Sequence, residues 1–109
     1  MKLLIDVAVE PSALEALERS GRHVIDCITP PMEAARPLDA ARIADADVLF
    51  CTFPPTNFPD LKAVRWVQLA STGYSQLYSH RLDQRGIRAT NARGCFDVPI
   101  GEWNIAMMV

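Results

Sequence analysis

Five short apolar runs, each parted from the next by a helix-like segment or a turn-rich connector, constrain this chain more than anything else in it. They cover residues 3–9 (LLIDVAV), 23–29 (HVIDCIT), 47–53 (DVLFCTF), 64–70 (VRWVQLA) and 87–91 (IRATN). Runs this short and this apolar read as strands covered on both faces, and the fifth, weaker in apolar content, reads as a sheet edge. Strands that alternate with helices pair in parallel, because a parallel neighbour is reached only by a crossover connection.

The intervening segments carry helix signals. Pro11 and Ser12 open a helix in which Ser12 and Glu15 have the spacing of a capping box, Leu14 and Leu17 repeat at helical intervals and Gly21 acts as the stop. Pro30 and Pro31 close the second strand. Residues 38–46 read as a short alanine-rich helix, residues 59–63 as a helical turn, and residues 74–85 as a helix that turns Leu77 and Leu82 inward before Gly86 ends it. Asp97 and Pro99 look like the cap and first turn of a last helix, whose apolar residues Ile100, Trp103, Ile105, Ala106, Met107, Met108 and Val109 run on without a stop signal. The expected fold is therefore α/β: a flavodoxin-like, doubly wound parallel five-stranded sheet in the order 2-1-3-4-5.

Composition narrows the function. At 109 residues, half of them apolar, the chain suffices for one domain with its own core. A formal charge of −2 without a Lys/Arg cluster argues against nucleic acid as a partner. Cys27, Cys51 and Cys95 are odd in number and in no C-x-x-C pair, so they read as buried free thiols and point to a reducing compartment. No run of apolar residues is long enough for a membrane span, and Met1-Lys2 leads directly into a strand, so the chain is expected in the cytoplasm.

In an open α/β sheet, ligands bind beyond the carboxyl ends of the strands. The candidate binding edge is accordingly Ser71-Thr72-Gly73 after the fourth strand, facing the loop at Pro54-Pro55-Thr56-Asn57 after the third. Thr72 and Gly73 read as a helix N-terminus whose free amides suit a carboxylate or phosphate. Alternatively, Ser71 only caps that helix and Gly73 only relieves a turn. The five glycines, at 21, 73, 86, 94 and 101, form neither G-x-G-x-x-G nor a P-loop, so no dinucleotide should bind these residues alone. His23 and His80 lack a spaced carboxylate partner, and no catalytic acid or base and no metal ligand is assigned. The acids of a phosphoacceptor receiver are missing, as is the Ser/Thr/Gly-rich first turn of a flavin phosphate site.

Three strings, Gln68 to Tyr74 (QLASTGY), Arg85 to Asn91 (RGIRATN) and Arg93 to Trp103 (RGCFDVPIGEW), resemble in order and spacing the amino-terminal part of the substrate domain of the D-isomer-specific 2-hydroxyacid dehydrogenases. The resemblance covers the whole chain. It implies a substrate domain over residues 1–97 and, over 98–109, the start of a hinge helix leading to a nucleotide-binding domain absent from this sequence. It further implies that Thr72 and Gly73 present backbone amides to a substrate carboxylate, that Phe53 and Pro54 line the pocket wall, and that the substrate is a small 2-hydroxy or 2-keto acid. NAD or NADP would serve the full-length protein, a homodimer, and this chain alone would be inactive. Two departures stand out: Ser75 occupies the position of a family Asp, and Trp103 that of a smaller or tyrosine side chain. The alternative from another class is a stand-alone flavodoxin-like module that binds a small anion or a protein.

Overall fold

The computed structural model of the chain describes residues 1–108; Val109 lies outside them. Five strands, β1 (Lys2–Asp6), β2 (Val24–Cys27), β3 (Val48–Cys51), β4 (Trp66–Leu69) and β5 (Arg88–Thr90), pair in parallel throughout, in the order β2-β1-β3-β4-β5. This is the α/β, flavodoxin-like order expected from the sequence. β5 is an edge strand and exposed along its length.

The register divides the strands into two faces. Leu4 lies beside Leu49 and Leu49 beside Val67, and two residues on, Asp6 lies beside Cys51 and Cys51 beside Leu69. Onto this face pack Ile43, Phe58, Leu61, Leu77 and Ile87, forming the main core. The opposite face holds the buried Ile5 and Val48 but leaves Trp66 exposed. α1 (Pro11–Arg19) buries no residue fully, whereas α2 (Ala40–Ile43) buries Ile43. The connections wind as a parallel sheet demands, and the core is lopsided.

Several local expectations give way to competing physics. Ser12 does not cap α1. Proline at the first helical position makes the preceding residue the cap, so Glu10 takes that role, accepting from the Ala13 amide at 3.0 Å and from the Ser12 hydroxyl. Glu15 instead accepts from Arg19, one turn on, at 2.6 Å. Gly21 lies in the left-handed region (φ +65°) just beyond the helix, where a stop glycine belongs. The helix expected over 38–46 shrinks to Ala40–Ile43, with Asp39 as its cap.

The largest difference falls at 74–85. That segment forms two 3₁₀ turns, Ser75–His80 and Leu82–Arg85, separated by Arg81 at φ +50°. Leu77 and Leu82 are five residues apart, about 140° around an α-helix of 3.6 residues per turn, so one straight helix could not turn both to the sheet. The break at Arg81 lets Leu77 become buried and Leu82 pack against the core.

α3 (Asp97–Met108) begins one residue earlier than its expected cap implies, because the Phe96 carbonyl already accepts from Ile100 at 3.0 Å. It buries no residue, and its apolar side chains point all around the axis, with Trp103 63%, Met107 64% and Met108 85% exposed. No helix among the described residues is long and apolar enough to cross a membrane. The cysteines are free, as expected, but only Cys51 is buried; Cys27 is half-buried and Cys95 exposed. Burial, and then the nearby Asp6 carboxylate, push the Cys51 thiol up to about 12, so it stays a protonated packing group.

Two measurements follow. Leu49→Ala, in the middle of the core, should cost about 2–5 kcal/mol in urea unfolding. The second concerns Asp26, whose carboxyl is held below its ordinary value first by the hydrogen bond from Arg42 (Nε to Oδ2, 2.8 Å). A carboxyl depressed in the folded state stabilises the fold above its unfolded value and loses that contribution as pH falls through the folded one. Melting temperature should therefore drop below about pH 4. Asp26→Asn should lower stability at pH 7 by about 1 kcal/mol or less, since Arg42 is reached by water, and should make the acid loss shallower.

Candidate functional site

Parallel strands put the ends of β3, β4 and β5 on one edge, and there three loops are tied together. The Ser71 hydroxyl donates to the Gly73 carbonyl at 2.8 Å. Gln76 Nε2 donates to the Thr52 carbonyl at 2.7 Å and to Ser71 Oγ at 3.0 Å, so one side chain joins the loop after β4 to the end of β3. On the other side, the Ala92 amide donates to the Ser71 carbonyl at 3.0 Å and Asn91 Nδ2 to the Thr72 carbonyl at 2.8 Å.

These last two bonds set the direction of the amides. A peptide unit is planar and trans, so its N–H points opposite to its C=O. The carbonyls of Ser71 and Thr72 are both held by the segment that follows β5; the N–H groups of Thr72 and Gly73, which share those peptide planes, are turned away from it. β3 lies on the other side of β4. Among the described residues neither amide has an intramolecular acceptor, and both residues are exposed. Two adjacent unpaired donors aimed the same way suit a carboxylate.

Thr72 and Gly73 do not, however, open a helix. The first regular element after them is the 3₁₀ turn from Ser75, and the Ser71 hydroxyl is spent on the Gly73 carbonyl instead of capping anything. No helix dipole acts here. The two amides owe their availability to the carbonyl ties alone. Nor does Gly73 relieve a turn: its φ is not positive, and a Cβ added there would meet nothing within 4 Å. The fold does not require that glycine, although a ligand approaching the backbone would benefit from it.

Phe53 and Pro54 line a hollow of about 330 Å³ together with Ala35, Gln76, Ser79 and His80. Pro54 is buried and Phe53 exposed, so the ring forms the solvent-facing part of the wall. The loop carrying them is strapped to the connector after β2. Thr56 N donates to the Arg36 carbonyl at 3.1 Å, and Asn57 exchanges two bonds with the Leu38 backbone, at 2.9 and 2.7 Å. Arg36 itself donates to the buried Asp6 at 2.7 Å and to the Pro30 carbonyl at 2.7 Å. Thr72 and Gly73 lie outside this hollow and reach it through Gln76.

A second hollow, about 490 Å³, opens on the β5 side between Leu69, Tyr74, Leu77, Ala89, Thr90 and Asn91. Sequence reasoning assigned no role to Gln76 or Asn91. The signal for Asn91 was its place just beyond β5, on the same edge as Ser71; Gln76 gave none, a lone amide in what read as a helix.

The residues present do not fit a dinucleotide. The first strand-to-helix turn holds no glycine, and the Glu10 carboxylate already occupies the start of α1, where a pyrophosphate would need free amides and positive potential. Groups of three or more His, Cys, Asp or Glu able to hold a metal are likewise absent among the described residues. His23 begins the second strand region with its Nδ1 buried and unpaired, and His80 stacks on Phe58; neither faces a carboxylate that would make it a general base. No family model matches the chain, and no curated protein matches it either.

Gly73→Ala separates the roles of this loop. It should leave the urea midpoint unchanged within about 0.5 kcal/mol, since the backbone there is ordinary and the space open. Any ligand that seats on the two amides should still bind more weakly to it, as read by titration of wild type and variant side by side.

Proposed function

We propose that this chain is the substrate-binding part of a NAD(P)-dependent D-isomer-specific 2-hydroxyacid dehydrogenase, acting on the CH–OH group of a small 2-hydroxy acid and, in reverse, reducing a 2-keto acid. What carries the reading is the pair of unpaired Thr72 and Gly73 amides, turned away from β5 by the Asn91 and Ala92 bonds. In this reading they receive the substrate carboxylate, and Phe53 and Pro54 wall off the rest of the molecule. Charge-assisted bonds to a carboxylate would fix its orientation and so the position of the neighbouring C2. NAD or NADP supplies hydride transfer in the full-length protein, and the reading assigns both its binding and the catalytic acid and base to residues outside these 109. The setting is cytoplasmic, which the three free cysteines support.

The exposed apolar surface of α3 belongs to the same proposal, as the start of a hinge helix that meets the nucleotide-binding domain and a second subunit. A helix that exposes Val98, Ile100, Trp103, Ile105, Met107 and Met108 together gains by being covered. The purified chain should therefore self-associate in sedimentation, and Met107→Lys with Met108→Lys should return it to monomer. A wild-type monomer at high concentration would oppose this part.

The functional test is a chimera in which residues 1–109 replace the matching segment of an active D-isomer-specific 2-hydroxyacid dehydrogenase. The chimera should reduce 2-keto acids with NADH or NADPH. Gly73→Pro, which removes one amide donor, should lower kcat/KM about tenfold to hundredfold, as loss of one charge-assisted bond implies. Thr72→Val, which leaves both amides in place, should change it little. A folded Gly73→Pro chimera with full kcat/KM would overturn the proposal.

A further inference from the structure

Below the carboxyl edge, on the core face of the sheet, the turn Phe58–Asp60 and the two 3₁₀ segments enclose another hollow of about 340 Å³. Phe58, Pro59, Lys62, Ser79, His80 and Arg85 line it. Two cationic side chains set it apart from the hollows at the edge; Ser79 and His80, which also border the Phe53–Pro54 hollow, complete a lining without Asp or Glu. Phe58, only 1% exposed, is the anvil on which two of these groups are set. The Arg85 guanidinium carbon lies 5.6 Å from the ring centroid, and the His80 ring lies 4.6 Å from it at 35°. One Arg85 amino group is fixed further by donating to the Leu61 carbonyl, which leaves the remaining guanidinium donors for another partner.

Neither Lys62 nor Arg85 has a carboxylate partner among the described residues, a lack they share with Arg22, Arg81, Arg88 and Arg93; what distinguishes them is that both line one hollow. Like charges gathered in one hollow repel unless an anion lies between them. Both cations are exposed at the rim, so an ion can reach them from solvent.

We propose that this hollow is an oxyanion site for inorganic phosphate or a phosphomonoester, with Lys62, Arg85, Ser79 and His80 as its donors. Donors of four kinds arriving from three segments, with Ser79 and His80 on the same 3₁₀ turn, match a tetrahedral dianion better than a planar carboxylate, which one guanidinium fork would satisfy. A nucleotide is disfavoured, because the Phe58 ring is already taken up by Arg85 and His80 and the lining offers no other aromatic surface for a base. His80 is held below its ordinary value by burial, so at pH 7 it is a neutral donor. A dianion beside it would raise that value again.

The test is a titration of the chain with sodium phosphate at constant ionic strength, following the His80 ring proton by NMR, with His23 as the internal control. Saturable binding with Kd of about 1 mM or tighter is expected, together with an upward shift of the His80 titration and no matching change at His23. Lys62 is exposed and makes no side-chain bond among the described residues, so Lys62→Ala keeps the fold and should weaken binding about tenfold or more. Arg85→Gln should do the same, read only after its circular dichroism matches wild type. Glycerol phosphate binding more tightly than inorganic phosphate would identify an organic phosphate as the ligand; equal or weaker binding would identify the free ion. A response that grows linearly and equals that of chloride, a Lys62→Ala affinity equal to wild type, or tighter binding of acetate than of phosphate would each overturn the proposal.

Discussion

Two carbonyl oxygens, those of Ser71 and Thr72, are held by Ala92 and Asn91 from the neighbouring strand's end. Because a peptide plane is rigid, fixing a carbonyl fixes the amide behind it. The loop after β4 thereby keeps two donors unpaired and aimed away from β5 without help from a helix. The parallel register is what makes this possible: only when β4 and β5 run the same way do their exits lie side by side, so that one loop can hold the other. Gln76 completes the arrangement by tying Ser71 to the end of β3. Substituting Asn91 would thus disturb a site it does not enter.

Order and direction of the strands could be read from the sequence because they rest on the hydrophobic pattern, and that pattern is local. β1, β3 and β4 are nearly continuous apolar runs, and each proved to be a central strand. The details that escaped are those decided by tertiary contact. Residues 74–85 have helix-compatible composition, but Leu77 and Leu82 must both face the sheet, and five-residue spacing forbids that in a single helix. Glu10 became the cap of α1 because Pro11 fixed the first helical residue, a rule that outranked the capping-box spacing of Ser12 and Glu15. At the site, Thr72, Gly73, Phe53 and Pro54 came from loop position and resemblance. Their connection through Gln76, and their orientation through Asn91, came from contacts between segments far apart in the chain.

The sheet is covered unequally. On one face α2, the turn at Phe58 and the 3₁₀ segments build the core; on the other, α1 contributes no fully buried side chain and Trp66 stays exposed, its indole N–H donating to Thr90. α3, with its exposed apolar side chains, buries no residue on either. Rigidity and chemistry therefore coincide: the edge loops that carry the candidate residues, and the basic hollow at Phe58, are both supported from the well-packed face. Loops held by a rigid scaffold are where binding groups usually sit.

The orientation of the Thr72 and Gly73 amides is the centre of this account, and amide NMR of the isolated chain tests it most directly. On titration with a small 2-keto acid such as pyruvate, the ¹H resonances of Thr72 and Gly73 should move downfield together and saturate, with the amides of Gly21 and Gly86 unmoved, and Asn91→Ala, which frees the Thr72 carbonyl but leaves the Ala92 bond to Ser71, should weaken the response, most of all at Gly73. If both resonances stay fixed while pyruvate shifts other amides, or if Asn91→Ala leaves the response intact, the two amides are not the carboxylate's donors and the account of the site fails.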